Sequence, residues 1–136
     1  MKWFSLREFT YSETARKKKI DNTPTEEIEN HIKELAEVLD GLRDAWGSPI
    51  RINSGFRCEL LNKAVGGAKR SSHLTGYAAD LYPVNGEVDK FYDFCVDYFE
   101  DYDELLKETS GDTSWVHFAL KSISGEQRRK CFEIDL

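Results

Sequence analysis

Hydrophobic residues between Ile28 and Trp46 recur at alternating spacings of four and three: Ile28, Ile32, Leu35, Leu39, Leu42 and Trp46. That period sets all six on one stripe of an amphipathic helix that buries the stripe as core. Thr23 as N-cap, Pro24 at the first helical position and Glu26 closing a capping box predict its start. Gly47-Ser48-Pro49 predicts its end. The period then changes. Residues 50–53 alternate like a strand and run into Ser54-Gly55, and residues 59–65 predict a short helix stopped by Gly66-Gly67. Residues 78–82 read as a strand leading to a turn at Pro83/Asn85-Gly86. Val88, Phe91, Cys95, Val96 and Phe99 mark a second amphipathic helix, and short strands are expected over 102–106 and 115–120. The stretch 4–22 has no clear period. It is expected as an irregular arm with Phe4, Leu6, Phe9 and Tyr11 available to pack on the core. Helices and strands that do not strictly alternate predict an α+β fold, a small antiparallel sheet with flanking helices.

Composition narrows this little. The chain has 136 residues, 40% hydrophobic and 32% charged, with no repeat or linker, so a single domain over 1–136 is expected. The formal net charge of −6 argues against nucleic-acid binding, which depends on neutralising phosphates. One basic run, Arg16-Lys17-Lys18-Lys19, goes against that trend and reads as a solvated surface turn. Cys58, Cys95 and Cys131 are odd in number and far apart, so neither a disulfide framework nor a thiolate metal site is expected. No membrane span is expected either, and residues 1–8 lack the apolar core of a secretory signal. These features predict a monomer made in the cytoplasm.

The chemistry concentrates in two of three histidines. His31 lies beside the apolar stripe of the first helix and reads as a partly exposed surface residue. His73 opens the run Ser71-Ser72-His73-Leu74-Thr75-Gly76-Tyr77-Ala78-Ala79-Asp80, and His117 lies within Ser114-Trp115-Val116-His117-Phe118. Extended chain would hold His73 and Asp80 roughly 20 Å apart, at about 3.3 Å per residue, so a shared metal requires the chain to reverse between them. Thr75-Gly76 supplies that reversal, since glycine tolerates positive φ, and Ala78 and Ala79 allow close packing behind it. Two imidazoles and a carboxylate suit zinc, and three protein ligands leave a fourth position open, the arrangement of a catalytic site. On spacing alone, ordinary polar roles for all three residues remain open.

Five ordered blocks resemble the zinc D-alanyl-D-alanine carboxypeptidases and L-alanyl-D-glutamate endopeptidases, a family that includes phage endolysins and shares the hedgehog-like fold. They are Phe9 to Ala15 with Ile20 to Pro24, Ser54-Gly55-Phe56-Arg57 with Leu61 to Ala68, Ser72-His73 through Gly76 to Asp80, Tyr102 to Leu106, and Trp115-Val116-His117. The resemblance, to a phage and prophage branch above all, spans nearly the whole chain. It implies one zinc held by His73, Asp80 and His117, with Arg57 meeting a substrate carboxylate or an oxyanion. Ser54 and Ser72 are candidates for hydrogen bonds to substrate. Many relatives carry an acidic general base three residues before the last histidine, where this chain has Ser114. Glu108, just after the 102–106 strand, matches the branch's alternative position, and Asp112 is a second candidate. The implied function is hydrolysis of peptide bonds in peptidoglycan stem peptides, with the wall reached after lysis or holin-type release. The alternative is an inactive zinc-containing module that binds the wall or serves a structural role.

Overall fold

The computed structural model describes residues 1–136, arranged as five helices, one 3-10 turn and a five-stranded sheet. The stretch expected to be irregular forms two short helices, α1 (Leu6–Thr10) and α2 (Glu13–Lys18). Each is too short to stand alone in water and is fixed by caps and burial. Ser5 and Glu8 make a reciprocal capping box, Ser12 caps α2, and Phe4 and Phe9 are buried in the core. The long helix α3 (Glu26–Trp46) buries Ile32, Leu35, Leu39 and Leu42 as the period predicts. Its N-cap is Thr25, whose hydroxyl accepts from Ile28 N, and not Thr23, whose hydroxyl donates to Asp21. Gly47 closes the helix at φ 78°.

The sheet comprises β1 (Ile50–Ser54), β2 (Ala78–Pro83), β3 (Glu104–Ser110), β4 (Thr113–Ala119) and β5 (Lys130–Asp135), in the order β1-β2-β4-β3-β5. The first four pair antiparallel, as expected. β5 was not expected and lies parallel to β3 as an exposed edge strand. β3 and β4 run longer than predicted because Gly111, at φ 60°, and Asp112 join them in a two-residue hairpin turn. Between β1 and β2 come α4 (Glu59–Ala64) and a 3-10 turn (Ser72–Thr75), and α5 (Val88–Tyr98) links β2 to β3.

Side chains alternate between the two faces of a strand, and here the faces have different work. Leu81, Leu105, Val116 and Phe118 point into the core with α3 and α5 and are fully buried. Asp80, His117, Glu104, Leu106 and Glu108 share the other face. No helix is long and apolar enough to cross a membrane.

Candidate active site

One row of paired residues crosses the sheet: Ser54 opposite Asp80, Asp80 opposite His117, His117 opposite Leu106. Paired residues share a face, so strand pairing alone sets Asp80 beside His117. A bulge between Ile52 and Ser54 aligns the end of β1 with Asp80. His73 reaches them from the 3-10 turn. The chain reverses at Gly76, which sits at φ 82°, and a Cβ there would press on Ile28 and Ile32 of α3 at 3.0 Å. The reversal therefore depends both on a left-handed residue and on the absence of a side chain.

Three donor atoms converge as a result. His73 Nε2 lies 3.5 Å and His117 Nδ1 3.1 Å from Asp80 Oδ1, and one donor atom from each of the three residues falls within 4.8 Å of the others. A tetrahedral ion with bonds of about 2.0–2.1 Å holds its ligands about 3.3–3.4 Å apart, so the spacing and the N, O, N donor set both fit zinc. The outer nitrogens of both rings are engaged. His73 Nδ1 donates to the Gly55 carbonyl at 2.6 Å, since a carbonyl can only accept, and this leaves Nε2 with its lone pair inward. His117 Nε2 lies 3.1 Å from Glu104 Oε1.

The electrostatics follow from this crowding. Burial would raise the Asp80 carboxyl, but His73 and His117 outweigh it and hold Asp80 well below the usual carboxylate range. Burial would lower His117, but hydrogen bonds to Asp80 and Glu104 overcome it and push the imidazole up to about 10. Without metal, then, His117 is an imidazolium clasped between two carboxylates. The His117 hydrogen bond holds Glu104 below its ordinary value against partial burial.

Arg57 stands at the edge of this centre. With Ser54, Asn53, Tyr11 and Asp80 it lines a cavity of 280 Å³, and its Nε is buried without a protein partner. Burial lowers the guanidinium's pKa, opposed by Asp80 and Glu108, and it stays charged at any working pH. Its backbone is clamped on two sides. Arg57 N donates to the His73 carbonyl at 3.0 Å, and the Asn22 side chain donates to Thr10 O and Phe56 O while accepting from Cys58 N. Gly55 packs so closely on the Phe9 backbone that a Cβ would meet Phe9 O at 2.5 Å. The N-terminal arm is thus the support of the Arg57 segment.

The other sequence candidates separate. Glu108 pairs with Trp115 on the His117 face, accepts from Trp115 Nε1 at 2.8 Å, and lies close enough for its charge to act on both His117 and Arg57. Ser114 is three residues from His117 in a regular strand and therefore faces the opposite side, where its hydroxyl meets Thr109 at 2.8 Å. Ser114 is thus turned away from the centre. Asp112, in the hairpin turn, lines a different cavity with Tyr82 and Asp89, roughly 15 Å along β4 from His117 at about 3.3 Å per residue. Ser54 lines the Arg57 cavity, whereas Ser72 is buried in the 3-10 turn and does not line it. His31 is half-buried, bonds the Thr75 carbonyl and stacks on Tyr77, steadying the turn that follows His73. Glu104 is not among the residues expected at this centre. Its signal was the period of two, Glu104-x-Leu106-x-Glu108, which puts both glutamates on one face of a strand.

Comparison with known proteins agrees with this arrangement. Over 44 residues, 32% of this chain, the sequence is 50% identical to the zinc D-Ala-D-Ala carboxypeptidase of Streptomyces albus G. That match spans 17% of the length of the relative. The profile of the peptidase M15 family matches residues 2–119, which takes in α1 through β4 and every residue of the His-Asp-His centre, and on that match the chain belongs to the peptidase M15 family.

Proposed function

We propose that the protein is a zinc-dependent peptidase acting on the stem peptides of bacterial peptidoglycan. The observation that carries this reading is the convergence of His73 Nε2, Asp80 Oδ1 and His117 Nδ1, with Arg57 lining the same cavity as Asp80. His73, Asp80 and His117 would hold the metal. Bound zinc supplies Lewis acidity, polarising a carbonyl and making a water acidic enough to attack near neutral pH. Glu108 takes the proton of the attacking water and delivers it to the leaving amine. Arg57 offsets negative charge on a substrate carboxylate or on the developing oxyanion, where a planar fork of donors is better suited than a point charge. The phage-like branch and a carboxypeptidase or endopeptidase mode belong to the same proposal. Mass spectrometry of muropeptides after incubation with the zinc-loaded protein tests it. Loss of a terminal D-alanine marks the first mode and internal cleavage the second. A wall digest left unchanged by zinc-loaded protein defeats the enzyme reading in favour of a zinc-containing binding module.

A further inference from the structure

Glu104 and Glu108 stand two residues either side of Leu106, the residue paired with His117 on β3. Both therefore lie on the His117 face as its diagonal neighbours, at a separation that long side chains can span. They do different things. Glu108 turns to Trp115 Nε1, whereas Glu104 reaches His117 itself, Oε1 to Nε2 at 3.1 Å. Space for this lean comes from the residue opposite Glu104, Ala119, and from Ala78 beyond it, both fully buried and both small. A larger side chain at either position would occupy the volume that the glutamate crosses.

We infer that Glu104 is a positioning residue of the metal centre: its carboxylate accepts the Nε2 proton of His117 and so presents Nδ1 to the metal. The inference rests on the reading of His73, Asp80 and His117 as zinc ligands. The logic is that of tautomers. A neutral imidazole has one N–H and one lone pair, so an acceptor fixed on Nε2 keeps the lone pair on Nδ1, which faces Asp80 at 3.1 Å. The acceptor also fixes the ring about its χ2 axis. His73 receives the same service from a backbone carbonyl, at Gly55, which no substitution can remove. For His117 the service comes from a side chain, which makes it testable.

Zinc affinity of the full chain, measured by competition with a chromophoric chelator, is the readout, because it does not depend on turnover. Glu104→Met keeps the volume and removes the acceptor, and is expected to bind zinc 10- to 100-fold more weakly, the range for losing such a partner. Glu104→Gln still offers an amide oxygen to Nε2 and is expected to recover most of that loss. Should Glu104→Met not fold, Glu104→Ala carries the same expectation. In the cobalt-loaded proteins, the visible spectrum of Glu104→Met should shift from that of the parent and that of Glu104→Gln should not. Zinc affinity of the acceptor-less variant within twofold of the parent overturns the inference, whatever happens to its melting temperature. Failure of the parent to bind zinc at all defeats the site reading instead, and the inference with it.

Discussion

Arg57, in the segment after β1, and Glu108, on β3, carry separable parts of the proposed chemistry, and substitutions distinguish them. Arg57→Ala should keep its zinc, since the guanidinium touches none of the three donor atoms, while kcat/KM falls by on the order of 2–4 kcal/mol. Arg57→Lys should recover little of this, because charge is restored without the planar fork. Zinc content and peptide turnover measured on the same preparation check both, and full activity in Arg57→Ala would return Arg57 to an ordinary surface role. Glu108→Gln likewise should retain zinc and lose at least about 100-fold in turnover, the low end of general-base contributions. Asp112→Asn should match the parent, because Asp112 lines a different cavity at the far end of the hairpin. Turnover lost in Asp112→Asn but not in Glu108→Gln would reverse that assignment. Residues with distinctive side chains were legible in the sequence: His73, Asp80, His117 and Arg57 stand out by type and block. Glu104 and the face of Ser114 were not, because both depend on the register of β3 against β4, and the hairpin that sets it lies between the expected strands 102–106 and 115–120.

Among the elements, those with strong periods were legible and those defined by partners were not. The stripe from Ile28 to Trp46 specifies α3 by itself, whereas α1 and α2 are single turns or little more, and the packing of α1 on β1 and α3 and of α2 on α4 cannot be read from local sequence. β5 is the plainest case. Phe132, Ile134 and Leu136 alternate with Glu133 and Asp135 in the sequence, but all six residues of the strand are exposed, so the alternation marks no buried face. It also lies beyond the residues matched to the family. What recruits it is Asp103, whose fully buried carboxylate takes both Nε and Nη2 of Arg128 and its backbone N–H as well. The Asp103 carbonyl then accepts from Lys130 N, the first residue of β5, and Lys107 on β3 meets Glu133 on β5 at 2.9 Å. Asp103→Ala removes that anchor next to Glu104. It should destabilise the domain by about 2–3 kcal/mol, as expected for several hydrogen bonds to one buried charge. Hydrogen exchange should locate the change, with amide protection lost first in β5 and the loop before it. Unchanged protection in residues 128–136 would mean that strand pairing alone holds β5.

At the scale of the whole molecule, the metal centre ties the paired strands β2 and β4 to the 3-10 turn and, through it, to the Arg57 segment. Asp80 sits on β2, His117 on β4 and His73 on the turn clamped to the Arg57 segment, which is in turn held by the N-terminal arm. Zinc that binds only the folded chain should therefore raise the melting temperature, with a free energy of roughly 4 kcal/mol at a thousandfold excess over its dissociation constant. The pH dependence of this gain has a definite sign. In metal-free protein His117 is raised to about 10, so the clasp with Asp80 and Glu104 gives its full stability below the unfolded value of about 6.5. That contribution declines above that value and is lost as the pH passes through about 10. Zinc needs the Nδ1 lone pair, so at neutral pH its binding displaces a proton, and its apparent affinity rises as protons become scarce. The two trends oppose each other: raising the pH from 6 to 8.5 should lower the melting temperature of chelator-stripped protein and widen the increment produced by zinc. Calorimetry in buffers of different ionisation enthalpy should show close to one proton released from His117 on zinc binding near pH 7. His117→Gln, which cannot carry that proton, should flatten the alkaline slope of the metal-free form. A zinc increment that shrinks between pH 6 and 8.5 would mean that His117 does not bear the proton the metal must displace.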